Sequence, residues 1–237
     1  MTAQSVKRFY KDVTVQSAEG WFGIALDGRV LETPGKLALV LPQVELAEAI
    51  ADEWREQGDK IIPSSMPLTK LANTAIDRTA VQREDVCEQL LGFGRSDVVC
   101  YRADIPVDLL QHQMASWDPI LDWVHAQFGA RLMTGQGIAY IQQDDAAMDP
   151  LRRAISESDD FRLTGLCNVA AILGSLVLAL ALDRGRLTQE EAFLAAHLDE
   201  LYQAEKWGED WEAADRKAGK RKELSHLARF LQFIHRV

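Results

Sequence analysis

The residues of this 237-residue chain with the chemistry for catalysis or metal binding are five histidines, three cysteines, a few glycine-rich turns and some adjacent carboxylates. A phosphate-cradling loop needs glycines whose backbone amides converge on the anion, followed by Lys and Ser or Thr. Gly35-Lys36 is followed by Leu37, and position 30 is Val30, so that pattern fails. Gly92 and Gly94 begin a dinucleotide-like spacing but meet Asp97, and Gly135 and Gly137 meet Tyr140, where the third glycine belongs. These glycines read as turns and helix ends. His112, His125, His197, His226 and His235 form no metalloprotease-like pair, and Cys87, Cys100 and Cys167 have no zinc or redox spacing. There is no Gly-x-Ser-x-Gly elbow. A cysteine nucleophile stays open, because its histidine partner need not be near in sequence, although Cys167 sits in an apolar segment and reads as a small buried hydrophobe. Asp144-Asp145 and Asp159-Asp160 fall in loop-like stretches and read as solvated. No catalytic residue, cofactor or metal is expected.

The elements that would position any site change character along the chain. Phe9 to Gln16, Trp21 to Leu26 and Arg29 to Thr33 read as strands, with a turn at Ala18-Glu19-Gly20 and a tight primed turn at Asp27-Gly28. Pro34-Gly35 breaks the third strand, and Leu37, Leu39 and Leu41 alternate as a fourth. A helix follows from Pro42, with Leu46, Ala47, Ile50 and Trp54 on its apolar stripe and Gly58 as terminator. Ile61 to Pro67 reads as extended loop, and helical spacing resumes from Leu68.

From about Val81 onward the spacing is helical. Val86, Leu90 and Phe93 form one stripe, ended by Gly92 and Gly94. Leu110, Met114, Trp117, Leu121, Val124 and Phe128 form the next, with a break or kink expected at Asp118-Pro119. Leu163 to Leu182 carries no charge and is long enough for a bilayer, but its small and polar residues favour one buried central helix. Thr188 and Glu191 form a capping box for a helix expected to run to about Lys206. Arg216, Lys217, Lys220, Arg221 and Lys222 precede a last amphipathic helix with Leu224, Leu227, Leu231 and Ile234. The expected fold class is α+β: a small strand-rich α/β domain over residues 1–80, then an all-helical orthogonal bundle over 81–237.

Net charge is −10, from 36 acidic and 26 basic residues, which argues against nucleic acid as a partner. Three cysteines and no signal-like N-terminus read as a reducing compartment. Either a bacterial cytoplasm or, after removal of a targeting segment, a mitochondrial matrix is expected.

Several strings, in order, carry a specific likeness. They are Arg8-Phe9-Tyr10-Lys11-Asp12-Val13, Leu26-Asp27-Gly28-Arg29-Val30-Leu31-Glu32-Thr33-Pro34, Glu53-Trp54 with Gln57, and Met66-Pro67-Leu68-Thr69 with Thr74, Ala75 and Asp77. Cys100-Tyr101-Arg102-Ala103, Trp117-Asp118-Pro119, and Leu198, Glu200, Tyr202-Gln203 with Lys206-Trp207-Gly208 complete the set. Together they resemble the Atp-twelve family, the assembly chaperones of the mitochondrial ATP synthase and their bacterial relatives. The resemblance implies a non-enzymatic chaperone. It would bind the free alpha subunit of F-type ATP synthase and shield its subunit interface until beta replaces it. It also implies an N-terminal α/β domain joined to a helical bundle, and partner-binding residues in the late helical region.

The matching positions are Glu200, Glu205, Trp207, Glu209 and Asp210. Each has a plainer reading, with Trp207 and Trp211 as packing residues and the carboxylates as a solvated helix face. Trp54 reads as core. A monomer without membrane insertion is expected. Two rival readings are a small-molecule enzyme with a site in the interdomain cleft and a membrane-attached factor spanning through Leu163–Leu182.

Overall fold

The computed structural model describes residues 6–18, 20–208 and 210–234. In chain order the strands and helices are β1 (Val6–Lys7), β2 (Val13–Ala18), β3 (Trp21–Leu26), β4 (Arg29–Val30), β5 (Val40–Leu41), α1 (Val44–Arg55), β6 (Lys60–Ile61), α2 (Pro67–Thr74), α3 (Arg83–Arg95), β7 (Tyr101–Arg102), α4 (Val107–Phe128) and β8 (Gly135–Gln136). There follow α5 (Asp145–Ser156), α6 (Asp160–Leu173), α7 (Leu176–Asp183), α8 (Gln189–Ala196), α9 (Leu198–Trp207) and α10 (Trp211–Ile234). A small strand-containing N-terminal part thus precedes a mostly helical remainder, as the sequence pattern predicts. Two compact units emerge from the packing. Unit 1 is the chain up to Arg83 with Asp160–Thr164 and the residues from Arg229, and unit 2 is Glu84–Asp159 with Gly165–Ala228.

In unit 1, β2 and β3 form a hairpin with Val13 opposite Leu26 and Val15 opposite Ile24, and β3 pairs antiparallel with both β4 and β5 on its other side. Asp27 and Gly28 both take positive φ, 48° and 80°, the geometry of the primed two-residue turn. The Asp27 carboxylate also accepts the Lys11 and Asp12 amides at 3.0 and 2.8 Å, and these donors hold it below the usual carboxylate range. Helix α1 buries Leu46, Ala47, Ile50 and Ala51 against Ile24, Leu39 and Leu41, and Phe161, Phe230 and Ile234 join the same core.

Two carboxylates tie this unit together. Glu53 is buried and accepts the Leu68 amide, the Thr69 amide and the Thr69 hydroxyl at 2.7–2.8 Å, closing the N-terminus of α2. Burial outweighs these donors and raises its pKa. Asp77, in a π-helical turn after α2 (Ala75–Thr79), accepts the Thr33 hydroxyl at 2.5 Å and the Gly35 amide at 2.9 Å. A Cβ at Gly35 would stand 2.5 Å from Asp77 Oδ1, so the approach requires glycine.

Unit 2 corrects four element readings. Helix α3 runs through Gly92 and Gly94 to Arg95; Gly94 is a close-approach site, where a Cβ would stand 2.9 Å from Leu176 Cδ2. Helix α4 is continuous through Pro119. Its buried line is Leu109, Gln113, Trp117, Ile120 and Val124, which keeps Trp117 and Val124 of the expected stripe but takes Leu109, Gln113 and Ile120 in place of Leu110, Met114 and Leu121, so Met114 is exposed. The apolar segment is two helices, because Gly174 at φ 64° ends α6 and the Ser175 side chain caps α7 by accepting the Leu178 amide. Among the described residues no helix is long and apolar enough to cross a membrane. Finally, the helix begun by the Thr188–Glu191 capping box, which forms as expected, stops at Ala196. His197 leaves helical geometry at φ −108°, and α9 starts after it. Ile138 and Tyr140, after the Gly135–Gly137 loop, are exposed.

A candidate contact face on helices α9 and α10

The expected partner-binding residues fall on and after α9. Glu200 and Trp207 lie seven residues apart, two helical turns, on one face with Gln203 and Ala204. That face and the start of α10 line a groove of about 430 Å³ together with Asp210. Glu205 is turned away, toward a second groove of about 580 Å³ lined also by Ser116 of α4, Leu194 of α8 and Leu198 and Leu201 of α9. Glu209 lies outside the described residues. The structure therefore brings Glu200, Trp207 and Asp210 together and separates Glu205 from them.

Trp207 and Trp211 are each 75% exposed, which sets aside core packing for both. Large exposed indoles are uncommon on a surface with no function, because each leaves apolar area in water. Between them Gly208 takes φ 86°, ending α9 and allowing the reversal into α10. The opposite wall of the groove is basic: Arg216, Lys217 and Lys220 of α10 line it. Their spacing of one and four residues was visible as a charge cluster, but only the fold sets it in one groove with Glu200.

Buried and bridging contacts hold this face in place. Tyr202 donates to Asp108 at 2.7 Å, and Lys206 pairs with the same carboxylate at 3.3 Å while lying 5.3 Å over the Tyr202 ring. The Tyr202 hydrogen bond, with Lys206 beside it, holds Asp108 below the usual carboxylate range. Gln113, buried on α4, donates to Asp199 at 2.7 Å and accepts the Ala103 amide at 2.7 Å. Trp117 donates its indole N–H to the Ala195 carbonyl at 2.9 Å. Above it, 4.9 Å away, lies the buried Arg102 guanidinium, which donates to Asp118 at 2.6 Å and to the Val99 carbonyl. His197 stacks on Phe193 with centroids 4.2 Å apart, and Lys220 stands 3.4 Å from its Nε2. Burial lowers the His197 pKa, so the ring is neutral at pH 7.

Burial pushes the Cys100 thiol up to about 12, far from a thiolate nucleophile at neutral pH. Among the described residues no group of three His, Cys, Asp or Glu side chains could hold a metal ion. The groove offers one exposed indole, Trp207, with charged groups of both signs around it.

Comparison with known proteins agrees with this architecture. The family model described as ATP12 chaperone protein matches residues 7–125. The mitochondrial protein atp12 of Schizosaccharomyces pombe is 28% identical over 98% of this chain and 85% of its own length. The crystal structure of Atp12 from Paracoccus denitrificans superposes with a TM-score of 0.93 at 38% identity, covering 96% of this chain and 98% of that one. The Atu1473 protein of Agrobacterium tumefaciens superposes with a TM-score of 0.91 at 41% identity, covering 96% and 86%. The fold, the ordered motifs and these matches place the chain in the ATP12 chaperone family.

Proposed function

We propose that this chaperone binds the free alpha subunit of F-type ATP synthase and covers its subunit interface until the beta subunit takes its place. The observation that carries the reading is the exposed Trp207 indole in a groove lined also by Glu200 of α9 and, on the α10 side, by Asp210, Arg216, Lys217 and Lys220. An unassembled subunit exposes an apolar patch rimmed by polar groups. Exposed indoles can cover such a patch, and a two-signed charged groove can fix its register. Trp207, Glu200 and Asp210 are the contact residues in this reading. The chaperone acts as a monomer without cofactor or catalysis, in the cytoplasm of a bacterium or the matrix of a mitochondrion.

The test is co-expression with the alpha subunit alone, followed by size-exclusion chromatography. A co-eluting complex that dissolves when the beta subunit is added supports the proposal. Glu200→Lys and Trp207→Ala should each abolish co-elution while the variants remain folded. Aggregation of alpha to the same extent with and without the chaperone would overturn the proposal.

A further inference from the structure

Two loops of unit 2 hold apolar side chains out in solvent. Ile105 and Val107 are 82% and 61% exposed, Tyr140 is 68% exposed, and Ile138 is fully exposed. The first loop leads from β7 into α4, and the second follows β8. Parallel pairing of Tyr101 with Gly135 and of Arg102 with Gln136 sets the loops side by side, and the Gly137 amide donates to the Arg102 carbonyl at 2.9 Å. Gly137 lies so close to Asp104 that a Cβ there would stand 2.8 Å from Oδ2. Ile138 and Ile105 are the next residues after that touching pair.

The second loop is fastened on both sides of its tip. The buried Gln143 side chain accepts the Met133 amide at 2.8 Å and donates to the Met133 carbonyl at 2.9 Å, and the Ile141 amide donates to the Tyr101 hydroxyl at 3.3 Å. Ile141 packs back on Gly135, where a Cβ would stand 3.0 Å from its Cδ1, but Ile138 and Tyr140 stay in water. Apolar side chains held out by a pinned backbone cost free energy that the fold of this chain does not recover.

The patch runs on into the α9 face. Asp108, the neighbour of Val107, meets Tyr202 and Lys206 near the end of α9, while Gln113 further along α4 reaches Asp199 near its start. The two helices therefore run antiparallel, and Val107 and Trp207 are the chain neighbours of the paired Asp108 and Lys206. One indole buries no more than about 250 Å², whereas a stable protein interface takes about 800 Å² from each partner. A complex held at the Trp207 groove needs more surface, and the two loops are exposed apolar surface adjoining it.

We propose that Ile105, Val107, Ile138 and Tyr140 form a second, apolar contact for the client. They cover part of the apolar surface of the alpha subunit where beta will pack, while Trp207 and its charged groove hold the adjoining part. The proposal rests on the alpha-subunit reading and adds where the rest of that interface lies. Because the loops are already pinned, little ordering is lost when they bind.

The experiment uses the full chain co-expressed with the alpha subunit. The double variant Val107→Ser, Ile138→Ser should keep the wild-type melting temperature, because both side chains are exposed. It should lower the alpha subunit recovered in the complex about tenfold. Val81→Ser, at a comparably exposed apolar residue of unit 1, should leave recovery unchanged. The photocrosslinker p-benzoylphenylalanine in place of Ile138 should crosslink to alpha, and in place of Val81 it should not. The crosslink decides the matter if the double variant does not fold. Wild-type recovery by the double variant, or no crosslink from position 138 within a wild-type-like complex, overturns this contact alone. Absence of any complex with the wild type overturns the alpha-subunit reading and this contact together. Crosslinks from position 138 to a second copy of the chain in place of alpha would assign the patch to self-association. Co-flotation of the free chain with phosphatidylcholine vesicles, lost in the double variant, would assign it to a lipid surface. Either result overturns the client contact.

Discussion

Asp97 Oδ2 accepts the Val177 amide at 2.9 Å, linking the end of α3 to the N-terminus of α7 across 80 residues of sequence. Its other oxygen accepts the Val99 amide, and the side chain is fully buried. The carboxyl therefore fastens the 3₁₀ turn Val98–Cys100 and the first turn of α7 at once. Without it the buried Val177 N–H has no partner, so Asp97→Ala should cost about 2–4 kcal/mol, measured by urea unfolding.

The same residue sets a pH dependence. Burial raises the Asp97 pKa from 3.8 to about 7, outweighing the amide and Ser175 donors that favour the charged form. A carboxyl whose folded pKa is raised binds more protons in the native than in the unfolded state between those two values. Its contribution to stability is then greatest below pH 3.8, falls as pH rises toward 7, and is level above that. The loss is about 4 kcal/mol at most. Glu53 acts in the same direction, and His197, with its lowered pKa, acts in the opposite one below its ordinary value. The contribution of Asp97 is isolated by difference. Relative to the wild type, Asp97→Asn should lose its disadvantage steadily from pH 4 to pH 7, about the window those two pKa values define. Parallel stability curves for the two proteins would show that Asp97 does not titrate there.

Gly92 and Gly94 sit two residues apart in α3 and should respond oppositely to alanine. A Cβ at Gly92 meets nothing within 4 Å, so Gly92→Ala should raise stability by about 0.5–1 kcal/mol through lost unfolded-state freedom. A Cβ at Gly94 meets Leu176 at 2.9 Å and Met148 at 3.1 Å. Gly94→Ala should cost about 1–2 kcal/mol by overpacking. Thermal unfolding of the two single variants tests the contrast.

Trp54→Arg should destabilise unit 1 by about 2–4 kcal/mol. The indole packs against the core, its ring lies 5.6 Å from that of Tyr10, and the Tyr10 hydroxyl donates to the Trp54 carbonyl at 2.8 Å. A guanidinium there loses the apolar contacts and brings a charge to their place. Soluble yield and melting temperature equal to wild type would contradict this.

Trp207→Ala should do the reverse. The side chain is 75% exposed, so stability should change by no more than about 0.5 kcal/mol. Capture of the alpha subunit should fall sharply. A melting temperature lowered as much as by a core substitution would mean that Trp207 is structural.

The ordered motifs, legible from the sequence, prove to be mostly framework. Arg8 donates to the Gln57 carbonyl at 2.5 Å, Glu53 closes α2, and Gln57 accepts the Ile62 amide at 2.7 Å. Asp77 pins the Pro34-Gly35 turn, and Arg102, Trp117 and Asp118 form one cluster. These residues identify the fold because each makes a buried or directional contact that few other side chains could make. Trp207 stands apart from them as an exposed member of the set.

By itself the sequence determined the order of strand-rich and helical parts, the Asp27-Gly28 turn, the capping box at Thr188 and the family. Those depend on local rules: hydrophobic period, positive φ, and side chains that reach amides three residues away. Only the tertiary structure decided which side of α4 is buried, where the apolar segment breaks at Gly174, and that Phe161 and Phe230 pack at 6.5 Å in the core of unit 1. It also decided that Glu200 shares a groove with Lys220 while Glu205 faces another. A helical period says that one face is buried but not how wide it is or what lies against it. The facing partner comes from residues tens of positions away, and their packing leaves no local trace.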